Sequence, residues 1–434
     1  MRDFLPEDVR RRDYVIGVIK RVYERYGFEP LETPAVENLE TLLGKYGDEG
    51  NQLIFKILKR GEHEKTGEAD LALRYDLTVP LARVVAEHQA KLPRLFKRYQ
   101  IQPVWRADRP ARGRFREFFQ CDVDALGSTS PAIEAELCAA VADAMTELGF
   151  AEFQIRLNHR NLLSAVLRRA GFPVDREAET LVTLDKLDKI GEAGVVKEWA
   201  GKGFGDEVSL AKSAKLLTSH LSTVDLVARF VADDETGRAA VANLQSVIHL
   251  CEATSAGARI SFDGTLARGL SYYTGVIMEV NVADLAGSLG GGGRYDNLVG
   301  MFSGQSIPAC GFSLGLERIL VVMTERGMFP PTLAASPADV MLATFDASAA
   351  AEAMRVAAAL RAGGLRVLVY PDADKIGKQI KYADGRGIPF VALLGDDEIK
   401  AGTVTVKNLA AQTQQTYPQA AAAAAIREAL TQRG

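Results

Sequence analysis

The sequence is poor in the residues that build disulfide frameworks and zinc sites. Its four cysteines, Cys121, Cys138, Cys251 and Cys310, form no CxxC pair, and its five histidines form no HExxH motif. This spacing excludes a zinc ribbon and a disulfide-rich scaffold and is typical of a reducing compartment. No apolar run reaches the ~20 residues of a membrane span. The charged start, MRDFLPEDVRRRD, also lacks the apolar core of a secretory signal. We therefore expect a cytoplasmic protein.

The chain also lacks a strong charge of either sign. Its formal net charge is −4 at pH 7, and its composition, 47% hydrophobic and 25% charged, is that of an ordinary globular protein. Without a large positive field, any nucleic-acid contact must come from local basic patches. The length of 434 residues exceeds that of one compact core and predicts two or three domains.

Hydrophobic periodicity divides the chain into regions of different character. Amphipathic helices are predicted at 7–26, 132–149 and 161–170. Alternation predicts strands at 71–78, 95–106, 115–125 and 153–158. Thr78 is the predicted N-cap of the helix that follows the first of these strands. Residues 172–255 carry helical patterns with charged faces. The proline-rich segment 329–337 predicts a linker to a βαβαβ pattern at 339–394.

Two of the predicted strands each present one polar face, since alternate residues of a strand share a face. In 115–125 that face carries Arg116, Phe118, Gln120, Asp122 and Asp124. In 95–106 it carries Arg98, Gln100, Gln102 and Arg106. If the strands pair antiparallel, the two faces lie side by side, and the loop between them adds Arg109, Arg112 and Arg114. Clustered arginines suit phosphate oxygens, but the pattern equally fits a sheet face in water.

The segment LARGLSYYTGVIMEV, 266–280, places a permanent charge, Arg268, before a predicted strand. Odd positions from Tyr273 form a polar side that includes Glu279, whereas even positions from Tyr272 form a core face. Gly269 is a natural turn that brings Arg268 to the side of Tyr273. The alternative is a surface arginine at a strand end.

The glycine run GSLGGGGRYD, 287–296, lacks the pattern of a P-loop. It fits a flexible surface loop and, equally, a backbone that approaches a ligand closely. The following GFSLGLER places Arg318 near a helix start, where backbone amides favour anions. The alternative is a surface arginine paired with an acidic residue.

These segments occur in an order that resembles the class II aminoacyl-tRNA synthetases. GFEPLETPAV, YQIQPVWRADRPARGRFREFFQCDVDALG and GFSLGLERIL are similar to the three class motifs. LRYDLT, FFQCDVD, LARGLSYYTG and GGGRYD are similar to motifs of the histidyl-tRNA synthetase family. The similarity runs from residue 1 to beyond 400, and its nearly immediate start raises the expectation of an upstream start site.

The resemblance implies an α+β fold, in which a mainly antiparallel six- to seven-stranded sheet flanked by helices forms the catalytic core. A helical insertion and a C-terminal α/β anticodon-binding domain complete it. The implied ranges are 1–171 and 256–328 for the core, 172–255 for the insertion, 329–337 for the linker and 338–434 for the anticodon-binding domain. Pro34 would belong to a homodimer interface, and the insertion would lie against the tRNA acceptor stem. In the tail, Lys375, Lys378, Lys381 and Arg386 form a basic stretch that equally fits a solvated helix face.

The implied activity is histidine–tRNA ligation. L-Histidine and ATP, with Mg²⁺ on the outer phosphates, would form histidyl-adenylate and pyrophosphate, and the histidyl group would pass to the 3′ end of tRNA(His). No metal-ligating residue of the protein is implied. An arginine at the position of Arg268 would take the place that a metal ion holds in related enzymes.

The resemblance also implies a role for each site residue. For ATP, Arg106 would hold the α-phosphate, Arg318 the γ-phosphate and Phe118 the adenine. Arg114 and Arg116 would assist at the triphosphate.

For histidine, Asp76, Thr78 and Gln120 would bind the α-ammonium group. Asp124 and Tyr273 would bond the two imidazole nitrogens, with Tyr272 beside them. Arg268 would lie by the α-phosphate and the amino-acid carboxylate, which makes Arg268 and Arg106 the implied catalytic pair.

Two positions depart from the family pattern. Ser271 stands where aspartate is common, with no role that the pattern assigns, and Asp108 stands where glutamate is common, which affects an adenine contact. One rival interpretation is a synthetase-like, histidine-sensing regulatory subunit without catalysis; the tail domain and Arg268 argue against it. Another is a class II synthetase for a different amino acid, against which Gln120, Asp124 and Tyr273 argue.

Overall fold

The chain forms two compact units, Met1–Met328 and Phe329–Gly434. The computed structural model describes residues 1–45, 47–61, 65–184, 186–267, 272–285, 287–334 and 336–431. Arg268, Gly269 and Ser271 therefore lie outside the described residues. None of the helices in the described part of the chain has the length and apolar character needed to cross a bilayer.

The first unit is built on one large sheet with helices around it. Its strands are β1 (Glu29–Pro30), β2 (Val36–Asn38), β3 (Lys56–Leu58), β4 (Ala69–Leu73), β5 (Phe96–Trp105), β6 (Glu117–Leu126), β7 (Gln154–His159), β8 (Ile260–Phe262), β9 (Val276–Asn281), β10 (Gly290–Arg294) and β11 (Ala309–Gly315). Its helices are α1 (Pro6–Arg25), α2 (Leu39–Leu42), α3 (Gly47–Gln52), α4 (Thr78–His88), α5 (Ala132–Glu147), α6 (Arg160–Arg169), α7 (Glu177–Leu184), α8 (Leu187–Gly201), α9 (Glu207–His220), α10 (Val224–Phe230), α11 (Glu235–Glu252), α12 (Gly300–Ser303) and α13 (Leu316–Glu325).

The large sheet has eight strands in the order β1-β5-β6-β11-β10-β9-β7-β8. Its two outermost pairs, β1 with β5 and β7 with β8, are parallel, and the other pairs are antiparallel. The expected α+β fold with a mainly antiparallel sheet is confirmed. The sheet exceeds the expected six to seven strands, since its edges carry β1 and β8 of only two and three residues.

Helix α1 packs on α5 and on α13, and all three helices pack on central strands of the sheet. The helical spacing of α1 places Val15, Ile19 and Val22 on one stripe, and all three are fully buried. This side of the sheet is therefore the hydrophobic core, which leaves the opposite side free for polar groups.

Two local expectations need correction, and one of the two alternatives for the glycine run is excluded. Helix α4 begins at Thr78 itself, and the Val79 amide donates to the Asp76 carboxylate at 3.0 Å, so Asp76 does the capping expected of Thr78. The strand expected from residue 272 begins at Val276. The glycine run is not a flexible loop, because Gly290–Arg294 is a paired inner strand.

The range expected to form an insertion, 172–255, carries helices α7 to α11, and its described residues include no strand. Side-chain caps define several of these helix starts; the Asp206 carboxylate, for example, accepts from the Val208 amide at 3.1 Å. Its limits at 172 and 255 stay a prediction.

The second unit contains β12 (Val340–Thr344), α14 (Ala350–Ala362), β13 (Val367–Val369), α15 (Ile376–Gly385), β14 (Phe390–Leu394), α16 (Asp396–Ala401), β15 (Thr403–Asn408), β16 (Thr413–Pro418) and α17 (Gln419–Thr431). The expected βαβαβ succession is confirmed, with β13, β12 and β14 parallel. Two antiparallel strands then complete a sheet of order β13-β12-β14-β15-β16.

Candidate active site

The polar faces of β5 and β6 form the floor of a cleft. The two strands are antiparallel, with Arg98 opposite Asp124, Gln100 opposite Asp122 and Gln102 opposite Gln120. The side-by-side arrangement expected from alternation is confirmed. Strand β11 flanks β6 on its other side and adds Ser313 opposite Asp122.

The cleft has a volume of about 290 Å³. Most of the residues expected to bind substrates line it, namely Asp76, Thr78, Arg106, Arg114, Phe118, Gln120, Asp124, Tyr272, Tyr273 and Arg318. Arg116 does not line it; this exposed side chain precedes β6, and its Nε donates to the Asp108 carbonyl at 3.2 Å. Arg268 lies outside the described residues.

One end of the cleft is cationic. The Arg106 guanidinium lies 4.3 Å from the Tyr75 ring centroid and 5.1 Å from that of Phe118, and its Nε donates to the Tyr75 carbonyl at 3.0 Å. These contacts hold the charge in place before a ligand arrives. Arg318, in the first turn of α13, donates to the Ser288 carbonyl. This end can therefore bind phosphate through two fixed guanidinium groups.

A glycine sets the position of the loop between β5 and β6. Gly113 has a φ of +69°, and a Cβ there would lie 3.1 Å from Cγ of Arg318. Its lack of a side chain lets the loop that carries Arg114 lie against Arg318.

The other end of the cleft is acidic. Asp76, Asp122 and Asp124 are at most 2% exposed. Asp124 forms a buried ion pair with Arg98, whose Nη2 lies 2.9 Å from its Oδ2, and Asp124 also accepts a hydrogen bond from the Tyr295 hydroxyl. Burial raises the pKa of Asp124, against the opposing effects of Arg98 and Tyr295. An acidic pocket with fixed acceptors suits a cationic or N–H-bearing substrate.

Tyrosines close this acidic end. The Tyr272 hydroxyl donates to the Asp76 carboxylate at 3.5 Å, and the ring centroid of Tyr272 lies 5.0 Å from that of Tyr273 and 6.0 Å from that of Tyr295. Both Tyr272 and Tyr273 line the cleft, which differs from the expectation that Tyr272 faces the core. The expected alternation fails because the strand starts only at Val276.

The glycines of β10 and β11 make room for this arrangement. A Cβ on Gly311 would lie 1.8 Å from Oδ1 of Asp124, and a Cβ on Gly292 would lie 2.0 Å from the Gly311 carbonyl oxygen. Only glycine fits at either position without moving the neighbouring strand or carboxylate. Gly290, Gly291 and Gly292 also line the cleft, so a close approach of this backbone to a ligand stays a prediction.

A buried carboxylate supports the cationic end. Glu317 of α13 accepts a hydrogen bond from the Phe119 amide at 2.9 Å. Burial raises the pKa of Glu317 to about 7. This contact ties the helix that carries Arg318 to the strand that carries Phe118.

Sequence reasoning missed three functional contributions. Arg98 and Tyr295 hold the Asp124 carboxylate, and Gly311 leaves space for it. Strand parity had placed Arg98 on the polar face and was the available signal for it. Tyr295 lay within the GGGRYD motif, but its partner is 171 residues away in the sequence.

Comparisons with known proteins agree with this geometry. A family model described as histidyl-tRNA synthetase matches residues 1–319. The chain belongs to the histidyl-tRNA synthetase family. A second model, described as an anticodon binding domain, matches residues 339–429.

Individual members of the histidyl-tRNA synthetase family are similar over almost the whole chain. A histidine–tRNA ligase of Christiangramia forsetii is 42% identical over 94% of both chains. One of Gloeobacter violaceus is 41% identical over 97% of this chain and 96% of its own. The crystal structure of histidyl-tRNA synthetase from a Nostoc species superposes with a TM-score of 0.79 at 30% identity, covering 98% of this chain and 97% of that one.

Proposed function

We propose that this chain is a histidine–tRNA ligase, which activates L-histidine with ATP and transfers it to the 3′ end of tRNA(His). The observation that carries the proposal is one cleft of about 290 Å³ with fixed guanidinium groups at one end and buried carboxylates at the other. Similarity to histidine–tRNA ligases over 94% or more of the chain supports the same activity.

ATP occupies the cationic end in this proposal. Arg106 binds the α-phosphate and Arg318 the γ-phosphate, while Phe118 stacks on adenine. Arg114 on the neighbouring loop assists at the triphosphate. Arg116 can assist at the triphosphate only if its side chain moves away from the Asp108 carbonyl, to which its Nε donates at 3.2 Å.

Histidine occupies the acidic end. Asp76, Thr78 and Gln120 bind its α-ammonium group, and Asp124 and Tyr273 bond the two imidazole nitrogens, with Tyr272 alongside. The contacts of Asp124 with Arg98 and Tyr295 fix the carboxylate in one orientation. A fixed acceptor discriminates strongly against side chains that lack a matching N–H group.

The chemistry then requires little proton transfer. A carboxylate oxygen of histidine attacks the α-phosphorus, the bond to pyrophosphate breaks, and negative charge grows on the phosphate oxygens. Arg106, which its contacts with Tyr75 and Phe118 already hold in place, stabilises that charge together with Arg268. In the second step a hydroxyl of the terminal adenosine attacks the histidyl carbonyl, and AMP leaves.

Mg²⁺ enters with ATP as part of the substrate complex, because this ion commonly binds through phosphate oxygens with few protein ligands. In the described ranges, no group of three or more His, Cys, Asp or Glu side chains could hold an ion by itself. As the resemblance implies, the proposal assigns no metal-ligating residue to the protein.

The remaining assignments follow from the same proposal. The second unit binds the anticodon, the helices of 172–255 contact the acceptor stem, and the enzyme works as a cytoplasmic homodimer with Pro34 at the interface. Light scattering after size exclusion tests the dimer, and footprinting of tRNA(His) tests the two contact regions.

One assay tests the activity. ATP–pyrophosphate exchange is measured with each of the twenty amino acids, followed by charging of tRNA(His) with the purified chain. We expect exchange with histidine alone. Exchange with no amino acid would contradict the proposal and favour a histidine-sensing regulatory subunit, and exchange with another amino acid would favour a different synthetase.

A further inference from the structure

Asp122 is a buried carboxylate in the cleft to which the proposed reaction gives no role. It lies on β6 between Gln120 and Asp124 and shares their polar face. Its side chain is 1% exposed. It therefore lies within the acidic end, among the residues proposed to bind histidine.

The hydrogen bonds of Asp122 are incomplete. One carboxylate oxygen bonds the Ser313 hydroxyl, and that hydroxyl accepts from Nε2 of Gln120 at 2.8 Å. The other oxygen, Oδ1, is buried and has no hydrogen-bond partner in the part of the chain that the structure describes. A buried carboxylate oxygen without a partner is costly, and such exceptions call for a functional reason.

The neighbouring carboxylates differ in this respect. Asp124 is engaged by Arg98 and Tyr295, while Asp76 accepts from the Val79 amide and from the Tyr272 hydroxyl. Oδ2 of Asp124 also lacks a hydrogen bond, but it lies 2.9 Å from Nη2 of Arg98, whereas Oδ1 of Asp122 has neither a hydrogen bond nor an ion pair among the described residues.

The charges around Asp122 favour a cation as that ligand. Arg98 on β5 faces it, together with two further carboxylates, Asp124 on its own strand and Asp76 before α4. Arg74 and the buried Tyr23 of α1 are also within electrostatic range. Arg106 also lies near this group, since its Nη2 donates to Oε1 of Gln120 at 3.5 Å, but the proposed reaction assigns it to phosphate. The remaining three carboxylates and two guanidinium groups leave one negative charge, which an ammonium group would balance.

We propose that Asp122 is a further histidine-binding residue, whose free carboxylate oxygen accepts a hydrogen bond from the α-ammonium group of L-histidine. The inference rests on the proposed function and extends its binding site by one residue. An ammonium group has three donors, which Asp122 can share with two of the acceptors already assigned.

The inference makes histidine binding depend on pH. Burial, with the nearby carboxylates of Asp124 and Asp76, raises the pKa of Asp122 to about 7, while Arg98 and the Ser313 hydroxyl oppose the rise. The ammonium group binds the ionised form, so binding becomes weaker as pH falls through this pKa.

The test compares Asp122→Asn with the unchanged enzyme by histidine-dependent ATP–pyrophosphate exchange between pH 5.5 and 8.5. At pH 8.5 we expect KM for histidine to rise about ten- to a hundredfold, as for loss of one charge-assisted hydrogen bond. The ratio of the two KM values should approach one at low pH, because a protonated carboxyl and an amide are both neutral. Titration of free histidine affects both enzymes equally and cancels in the ratio.

Asp143→Asn is the matched control. Asp143 lies on α5 outside the cleft lining and accepts a hydrogen bond from Tyr26 at 2.7 Å. Its KM ratio should stay near one at every pH. Thermal unfolding checks the fold, and Asp122→Ser repeats the measurement if the asparagine variant is unfolded.

The outcomes separate the inference from the function on which it rests. An unchanged KM, or a raised KM whose ratio does not vary with pH, overturns the role of Asp122 and indicates a structural carboxylate. Absence of exchange in the unchanged enzyme overturns the proposed function instead.

Discussion

The ion pair between Arg98 and Asp124 is the central residue-scale feature of the site. Their side chains are 0% and 3% exposed, and the pair lies beneath the proposed imidazole contact. Such a pair adds little net stability by itself, but the loss of one partner leaves the other charge buried and unpaired. The pair instead serves to orient the Asp124 carboxylate, which is proposed to accept a hydrogen bond from the histidine imidazole.

We therefore predict that Arg98→Met lowers the free energy of unfolding by about 3–5 kcal/mol, because Asp124 is left buried and uncompensated. Urea unfolding of the variant measures the change. The control is Arg25→Met, which removes an ion pair with Glu147 from a side chain that is 54% exposed; it should cost at most about 1 kcal/mol. Equal losses in the two variants would contradict the argument.

Arg268 supports a second residue-scale prediction. If it stabilises the charge that develops on the α-phosphate, Arg268→Ala should lower pyrophosphate exchange by about a hundredfold or more. Circular dichroism should show an intact fold. Arg268→Lys keeps the positive charge but loses the two parallel N–H donors of the guanidinium group, so we expect an intermediate rate of pyrophosphate exchange. A near-normal rate in the alanine variant would indicate a surface arginine at a strand end.

At the scale of elements, β10 shows how a strand can be specified by the absence of side chains. Its four glycines allow β9 and β11 to flank it while the carbonyl of Gly311 lies where a Cβ of Gly292 would be. Glycine normally weakens a strand, so steric need outweighs propensity here.

We predict that Gly292→Ala destabilises the first unit at the upper end of the roughly 1–3 kcal/mol typical of overpacking, because the blocking atom is backbone. Thermal unfolding by calorimetry provides the measurement. Gly17→Ala in α1 is the control, since its Cβ would make only an ordinary 3.6 Å contact with Arg21. That change should be neutral or stabilising by about 1 kcal/mol, and a loss matching that of Gly292→Ala would contradict the prediction.

Elements with a clear period could be predicted from the sequence, and those defined by distant contacts could not. Strands β5 and β6 and the faces of Gln120 and Asp124 follow from alternation, and α1 from helical spacing. The glycine run has no alternation of polar and apolar side chains, so the sequence does not indicate that it forms a strand paired with β9 and β11. The sequence allows either Thr78 or Asp76, two residues earlier, to cap α4, because local patterns do not fix φ and ψ at a helix start.

At the scale of the whole molecule, every described residue of the proposed substrate site belongs to the first unit. That unit also stores unfavourable electrostatic energy, because Asp122 and Glu317 have pKa values raised to about 7 by burial. A raised carboxyl pKa means that the folded state holds its proton longer than the unfolded state does. Stability is therefore lost as pH rises from the unfolded pKa, near 4, to the folded one, near 7.

We predict that Glu317→Gln becomes more stable than the unchanged protein as pH rises across that window, by up to about 3 kcal/mol above pH 7. The glutamine oxygen can still accept from the Phe119 amide, so the contact is kept. Calorimetry at pH 4, 6 and 8.5 tests the trend. A variant that is less stable by the same amount at every pH would show that the hydrogen bond, rather than the buried charge, dominates.

The strand order also has a consequence for synthesis on the ribosome. Gln120 meets Ser313 across neighbouring strands although the two are 193 residues apart in the chain. At roughly 5–20 residues per second, the second strand emerges about 10–40 s after the first. During that interval the helices of 172–255 are synthesised and can fold. The edge of β6 that later pairs with β11 has no partner strand until then. The nascent chain therefore presents an exposed strand edge to chaperones, and the substrate site is completed only when β11 arrives.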